Sequence, residues 1–190
     1  MRGARGWTRA RRDGSIAHGP AIPCRQNHSS EGFQLPLPKF PQQGGCHCGA
    51  VRYELTAPPL GVYNCHCTDC QKMSGAAYAM SMPVRTETLV QLSGEVSIFE
   101  KVADSGRRVQ MVSCAKCGTR MWNVPLSSPE MRTLRPGTLD DFSWAEPVGN
   151  IWTKSRMPWI EIDAALVNYE GQPPSREPLY AAWSAKHGEA

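Results

Sequence analysis

Residues 44–55 read GGCHCGAVRYEL. Two signals meet in this stretch. Cys46 and Cys48 stand two apart among glycines, so in extended backbone both thiols point the same way and can grip one ion. Directly after them Val51, Tyr53 and Leu55 alternate with Arg52 and Glu54, which predicts a strand with one buried face. A chelating pair that runs into a half-buried strand predicts a β domain pinned by metal.

The body repeats the pattern. AAYAMSMPV, TLVQLSG, VSIFEKV, RRVQMVSC and TRMWNVP read as strands, separated by RTE, GE and DSG breaks. MRTLRPG and GNIWTKS read as two more. Helix is scarce: one turn is predicted at TDCQKM with Thr68 as its N-cap, and another at TLDDFSW. The expected fold class is mainly β, of short antiparallel strands with little helix. Residues 1–43 are rich in Arg, Gly and Pro and are expected to be a disordered leader, with residues 44–171 as the domain. Residues 172–190 form a tail, first proline-rich and then briefly helical, where Tyr180 and Trp183 can dock on the body.

Charge narrows the partners. Of 21 basic and 17 acidic residues, residues 1–45 carry seven basic and two acidic, which leaves 14 basic and 15 acidic for the rest. The net +4 therefore belongs to the leader, and the body has no basic stripe for a phosphate backbone. The leader fits a transit peptide, a nucleic-acid-binding arm, or translated sequence upstream of the natural start, the last being favoured. No run of about 18 apolar residues is present, so no transmembrane helix or membrane partner is expected. With no apolar secretory stretch either, the expected location is cytoplasmic.

Eight cysteines need an explanation. Seven fall into three tight groups: Cys46 and Cys48; Cys65, Cys67 and Cys70; Cys114 and Cys117. Cys24 stands alone and reads as an inert free thiol. Short C-x-C and C-x-x-C spacings bring thiolates to one point, as zinc requires, whereas disulfide frameworks spread their cysteines. CAKCGTRMW, residues 114–122, is a zinc knuckle with a glycine at its turn. Pairing it with Cys46 and Cys48 closes a four-cysteine structural site. Cys65, Cys67 and Cys70 then remain as three thiols with one coordination position vacant, the mark of a catalytic or ligand-binding zinc. Two alternatives stay open on spacing alone. Cys65 and Cys67 can exchange with the first pair, and His66 can supply a fourth ligand.

Other residues carry weaker signals. His47 and His66 read as supporting or surface residues, and His66 should point away from the metal of its neighbouring cysteines. Trp122, Trp152 and Trp159 read as core or pocket wall. Arg120 and Lys154 can hold a substrate carboxylate, but solvated surface charge is the favoured reading.

The blocks GGCHCGAVRYEL, YNCHCTDCQKMSGAAY, VSCAKCGTRMW, PGTLDD and IWTKSRMPWIE, in this order, resemble the glutathione-dependent formaldehyde-activating enzyme family, which shares its domain with centromere protein V. The resemblance spans roughly residues 41–171. It implies a β-tent type fold with two zinc ions, a structural one on Cys46, Cys48, Cys114 and Cys117 and a second on Cys65, Cys67 and Cys70. It also implies a carbon–sulfur lyase activity that joins glutathione and formaldehyde into S-hydroxymethylglutathione. A non-enzymatic zinc module, of chromatin type or purely structural, is the alternative.

Overall fold

Strand β2 (Arg52–Leu55) forms where the alternation predicts it, and Val51, Tyr53 and Leu55 are fully buried. This computed structural model of the protein describes residues 36–103 and 106–188. Residues 1–35 of the expected leader, with Cys24, and part of the DSG break lie outside the described residues. In chain order the other elements are β1 (Gln42–Gly45), β3 (Tyr63–Cys65), α1 (Thr68–Ser74), β4 (Ala79–Arg85), β5 (Leu89–Ser93), β6 (Val96–Val102) and β7 (Arg108–Cys114). After them come β8 (Arg120–Pro125), β9 (Met131–Leu134), β10 (Gly149–Ile151), β11 (Val167–Tyr169) and α2 (Glu177–His187).

The architecture is mainly β. One sheet has three strands in the order β1-β2-β5, and the other has eight in the order β11-β10-β3-β4-β9-β8-β7-β6. Nearly all pairings are antiparallel, as the short breaks require. The exception is β10, which runs parallel to both β3 and β11. Parallel neighbours need long connections, and the 85 positions between the β3 and β10 partners Asn64 and Asn150 provide one. The side chains of Tyr53, Leu55, Met82, Val84, Met121 and Leu134 fill the main core, with Trp122 and Trp144 beside them.

Two expectations about helices are corrected. Residues 138–144, TLDDFSW, form no α-helix. The chain instead makes a 3-10 turn at Pro136–Thr138 and then bends, because Thr138 Oγ1 donates back to the Arg135 carbonyl at 2.8 Å and accepts the Tyr53 hydroxyl at 2.7 Å. The side chain that would cap a helix is thereby committed to the core. Helix α1 does form, but its N-cap is Cys67 and not Thr68. The Cys67 sulfur accepts from the Cys70 backbone N–H at 3.3 Å, so a thiol takes the role usually given to a hydroxyl.

The tail forms α2, and Leu179 and Trp183 on it are buried, Trp183 against Trp144 and the main core. Among the described residues no helix is long and apolar enough to cross a membrane.

Candidate metal centre

Two knuckles converge at the end of the β1–β2 hairpin. In the first, the Cys46 N–H donates to the Val51 carbonyl at 3.0 Å and Gly49 turns with φ +74°. In the second, the Cys114 N–H donates to the Thr119 carbonyl at 2.9 Å and Gly118 turns with φ +73°. Only glycine takes that backbone angle without strain. Each knuckle also aims a backbone N–H at a sulfur: Val51 at Cys46 Sγ, 3.2 Å, and Lys116 at Cys114 Sγ, 3.3 Å. At Cys46 burial works against ionisation, but the Val51 N–H and the Cys114 and Cys48 sulfurs outweigh it and hold the thiol below its ordinary range.

The sulfurs of Cys46, Cys48, Cys114 and Cys117 all lie within 4.8 Å of one another. Cys46 and Cys48 are 3.5 Å apart, and Cys48 and Cys114 are 3.9 Å apart. A tetrahedral zinc with Zn–S bonds of about 2.3 Å has its sulfurs about 3.8 Å apart, so the donor set and spacing fit that ion. Neither of two cavities among the described residues, of about 440 and 350 Å³, is lined by these cysteines.

The second cluster is built differently. Cys65 ends β3, Cys67 caps α1 and Cys70 lies in its first turn. Their three sulfurs also fall within 4.8 Å of one another, with Cys65 and Cys67 at 3.5 Å, and this set fits a metal too. The structure thus brings together 46, 48, 114 and 117 as one group and 65, 67 and 70 as another. It does not join Cys65 or Cys67 to the knuckle.

His66 is not part of either group. It is buried, its Nε2 lies 3.2 Å from Asn150 Oδ1, and its ring tilts against Tyr78. The loop is held by β10 and the turn after it. The His66 N–H donates to the Ile151 carbonyl, and Gln71 Nε2 donates to both the His66 and Ser155 carbonyls, at 2.7 and 2.8 Å. Gln71 therefore ties α1 to the residues 153–155.

Crowding of three thiols sets their acidity. Cys70 is pulled down to about 2 by the Cys65 and Cys67 sulfurs, with help from the charges of Arg135 and Arg120. Cys67 is pushed up to about 11: its contact with Cys65 favours the thiolate, but Cys70 and burial oppose it more. Cys65 is pushed up far beyond that by its contacts with Cys67 and Cys70 and by burial. One thiolate forms readily and the next two resist, so the trio sheds all its protons only to a cation that repays the crowding.

A cavity of about 440 Å³ opens onto this cluster and onto no other cysteine. Cys65, Cys67 and Cys70 form part of its wall, with Tyr63, Arg135 and Trp152. Trp152 has φ +61°, the left-handed region that a bulky residue enters only when its surroundings force it. Arg135 Nη1 donates to the Met80 carbonyl at 2.8 Å and to Ser81 Oγ at 3.3 Å, which fixes the guanidinium on the wall.

Several readings of single residues change. Arg120 is not a solvated surface charge. It is mostly buried, burial draws it down to about 10, and its Nη2 donates to Asn123 Oδ1 at 2.8 Å. It faces a second cavity beside Tyr78, and not the one at the cysteines. Trp159 is 71% exposed and belongs to neither core nor wall, whereas Trp122 lies in the core. Lys154 sits over the Trp152 ring at 5.2 Å. His47 is exposed, and its backbone N–H donates to Thr119 Oγ1 across the two knuckles. Sequence reasoning missed Arg135 and Arg176 as wall residues. Arg135 stands next to the PGTLDD block, but nothing in the spacing marks it.

A family model described as glutathione-dependent formaldehyde-activating enzyme matches residues 41–155. The chain belongs to that family. A Halomonas elongata protein named putative glutathione-dependent formaldehyde-activating enzyme is 27% identical over 156 residues, covering 77% of this chain and 96% of its own. A crystal structure of a Rhodobacter sphaeroides protein aligns with a TM-score of 0.43 and 20% identity, over 67% of this chain and 98% of that one. For this formaldehyde-activating family member, both cysteine groups that could hold metal lie inside the matched segment.

Proposed function

We propose that this protein adds the thiol of glutathione to formaldehyde and gives S-hydroxymethylglutathione, as a carbon–sulfur lyase. One observation carries the reading: three thiols with no fourth ligand among the described residues converge on a cavity, while four others form a complete set away from it. Cys46, Cys48, Cys114 and Cys117 are assigned a structural zinc, and Cys65, Cys67 and Cys70 a second one, within a zinc-binding unit of residues 44–171. A zinc held by three thiolates keeps a position for an outside ligand and lowers the pKa of a thiol that takes it.

The residues of the chain supply the rest. The cavity walls hold the aldehyde against the sulfur, which turns a bimolecular encounter into a positioned one. The sulfur electron pair forms the new C–S bond, the carbonyl π pair moves to oxygen, and the proton lost by the thiol ends on that oxygen. Arg135 places positive charge where the oxygen gains its negative charge. Ser81 Oγ, which accepts from Arg135, keeps its own hydroxyl proton to donate there. The seven described cysteines are unpaired, as a reducing cytoplasm would keep them.

Metal analysis of the purified chain is expected to give two zinc ions. Labelled formaldehyde with reduced glutathione, followed by NMR, is expected to form the adduct faster with protein than without. Equal rates would sink the enzymatic reading.

A further inference from the structure

Arg176 takes part in none of the ion pairs Arg52–Asp140, Lys101–Asp69, Arg108–Glu100 and Lys186–Glu146. Arg176 stands just before α2, outside the segment that matches the family, yet it lines the same cavity as the three cysteines. Its guanidinium lies over the Tyr63 ring, 6.0 Å from the centroid, and its Nε is buried with no hydrogen-bond partner. The Tyr180 hydroxyl, one turn along α2, serves the same guanidinium. A half-buried cation without a counter-ion carries a cost, and a planar guanidinium with free N–H groups matches a carboxylate in two parallel bonds.

We propose that Arg176 is the carboxylate anchor of the thiol ligand, and that the site selects thiols whose carboxylate lies far from the sulfur. Tyr63 and Cys65 are two apart on β3, so their side chains share a face and stand about 7 Å apart along the strand. A carboxylate over Tyr63 and a sulfur beside Cys65 must therefore belong to a ligand that reaches from one to the other. A peptide-like thiol with a terminal carboxylate has that reach, whereas free cysteine holds its carboxylate only three bonds from its sulfur. The segment 172–180 thus sets which thiol the cavity accepts. This inference rests on the thiol-binding reading above, but its test does not need the reaction.

The probe is S-methylglutathione, which keeps the carboxylates and blocks the thiol, titrated into the zinc-loaded full chain by calorimetry. Arg176→Gln is expected to weaken it about 10- to 100-fold, the weight of a charge-assisted hydrogen-bond pair. Arg176→Lys, which keeps the charge and loses the fork, is expected to fall between, and it decides the matter if the glutamine variant does not fold. The diethyl ester of the probe is expected to bind the unaltered chain as weakly as the acid binds Arg176→Gln. If acid and ester bind alike, or if the variants bind the acid as the unaltered chain does, the anchor is wrong, even where adduct still forms. If binding depends on Arg176 and no adduct forms, the anchor stands and the proposed reaction fails.

Discussion

Cys114 and Cys65 are both buried, at 1% and 5% exposure, and both sit in three- or four-sulfur clusters. Their surroundings separate them. Cys114 joins two knuckles that are far apart in sequence, so a metal there ties the hairpin of the smaller sheet to β7 of the larger one. Cys65 shares its cluster with residues two and five positions on, and these are already neighbours along the chain. Cys114→Ala is therefore expected to lower unfolding stability by at least about 3 kcal/mol. Cys65→Ala is expected to cost about 1–2 kcal/mol and to remove one of two bound zinc ions. Urea unfolding with metal analysis of each variant checks both; equal losses of stability would mean that the second cluster is structural too. Only the fold decides which runs of cysteine can share an ion, but at this scale the sequence is legible where spacing carries chemistry, as in the three tight runs themselves. It is not legible for Arg135 and Arg176, whose importance comes from which wall they reach.

Among the elements, β2 is the most legible, because three apolar side chains at a spacing of two can bury only one face of a strand. Helix α1 is legible in place but not in its cap, since a sulfur that also belongs to a cluster accepts the capping bond. The segment 138–144 is misread because Thr138 answers to Tyr53 and Arg135, far away in sequence or turned back along it. Helix α2 is legible in place, as a brief helix after a proline-rich stretch with Trp183 able to dock, but its depth of burial is not. Trp183 on it is 3% exposed and packs near Trp144. Trp183→Ala is expected to cost about 3–5 kcal/mol, as for a large side chain removed from a core. A helix that merely rode on the surface would lose under about 0.5 kcal/mol, and a thermal or urea melt separates the two.

The whole molecule buries two tyrosines in its cores, and this fixes how it meets alkali. Burial raises the Tyr63 hydroxyl to about 12 and also raises that of Tyr53, whose hydrogen bond to Thr138 offsets only part of the shift. In the unfolded chain both ionise near about 10. Their folded pKa values are raised, so the stability they contribute is fully present below pH about 10 and is lost as pH rises through the folded values. Across the window from about 10 to 12 the unfolding free energy should fall by up to about 1.4 kcal/mol per pH unit for each tyrosine. Urea titrations at several alkaline pH values are expected to show this slope, and Tyr63→Phe is expected to reduce it by one proton. An unchanged slope in that variant would mean that Tyr63 is open to water in solution.

The sequence by itself determined the three tight runs into which seven cysteines fall, the half-buried strand that follows the first pair, and the predominance of β structure. These depend on periods of two and on spacings of two and three residues, which act within a few ångströms of the backbone. Tertiary structure alone decided which of these runs share one point, and that Cys65, Cys67 and Cys70 line the cavity of about 440 Å³ while the other four do not. It also decided that Arg120 is mostly buried, that Trp159 is exposed and that the tail helix closes a wall. Each of these follows from contacts between segments dozens of residues apart, whose burial and electrostatics exist only once the sheets have assembled.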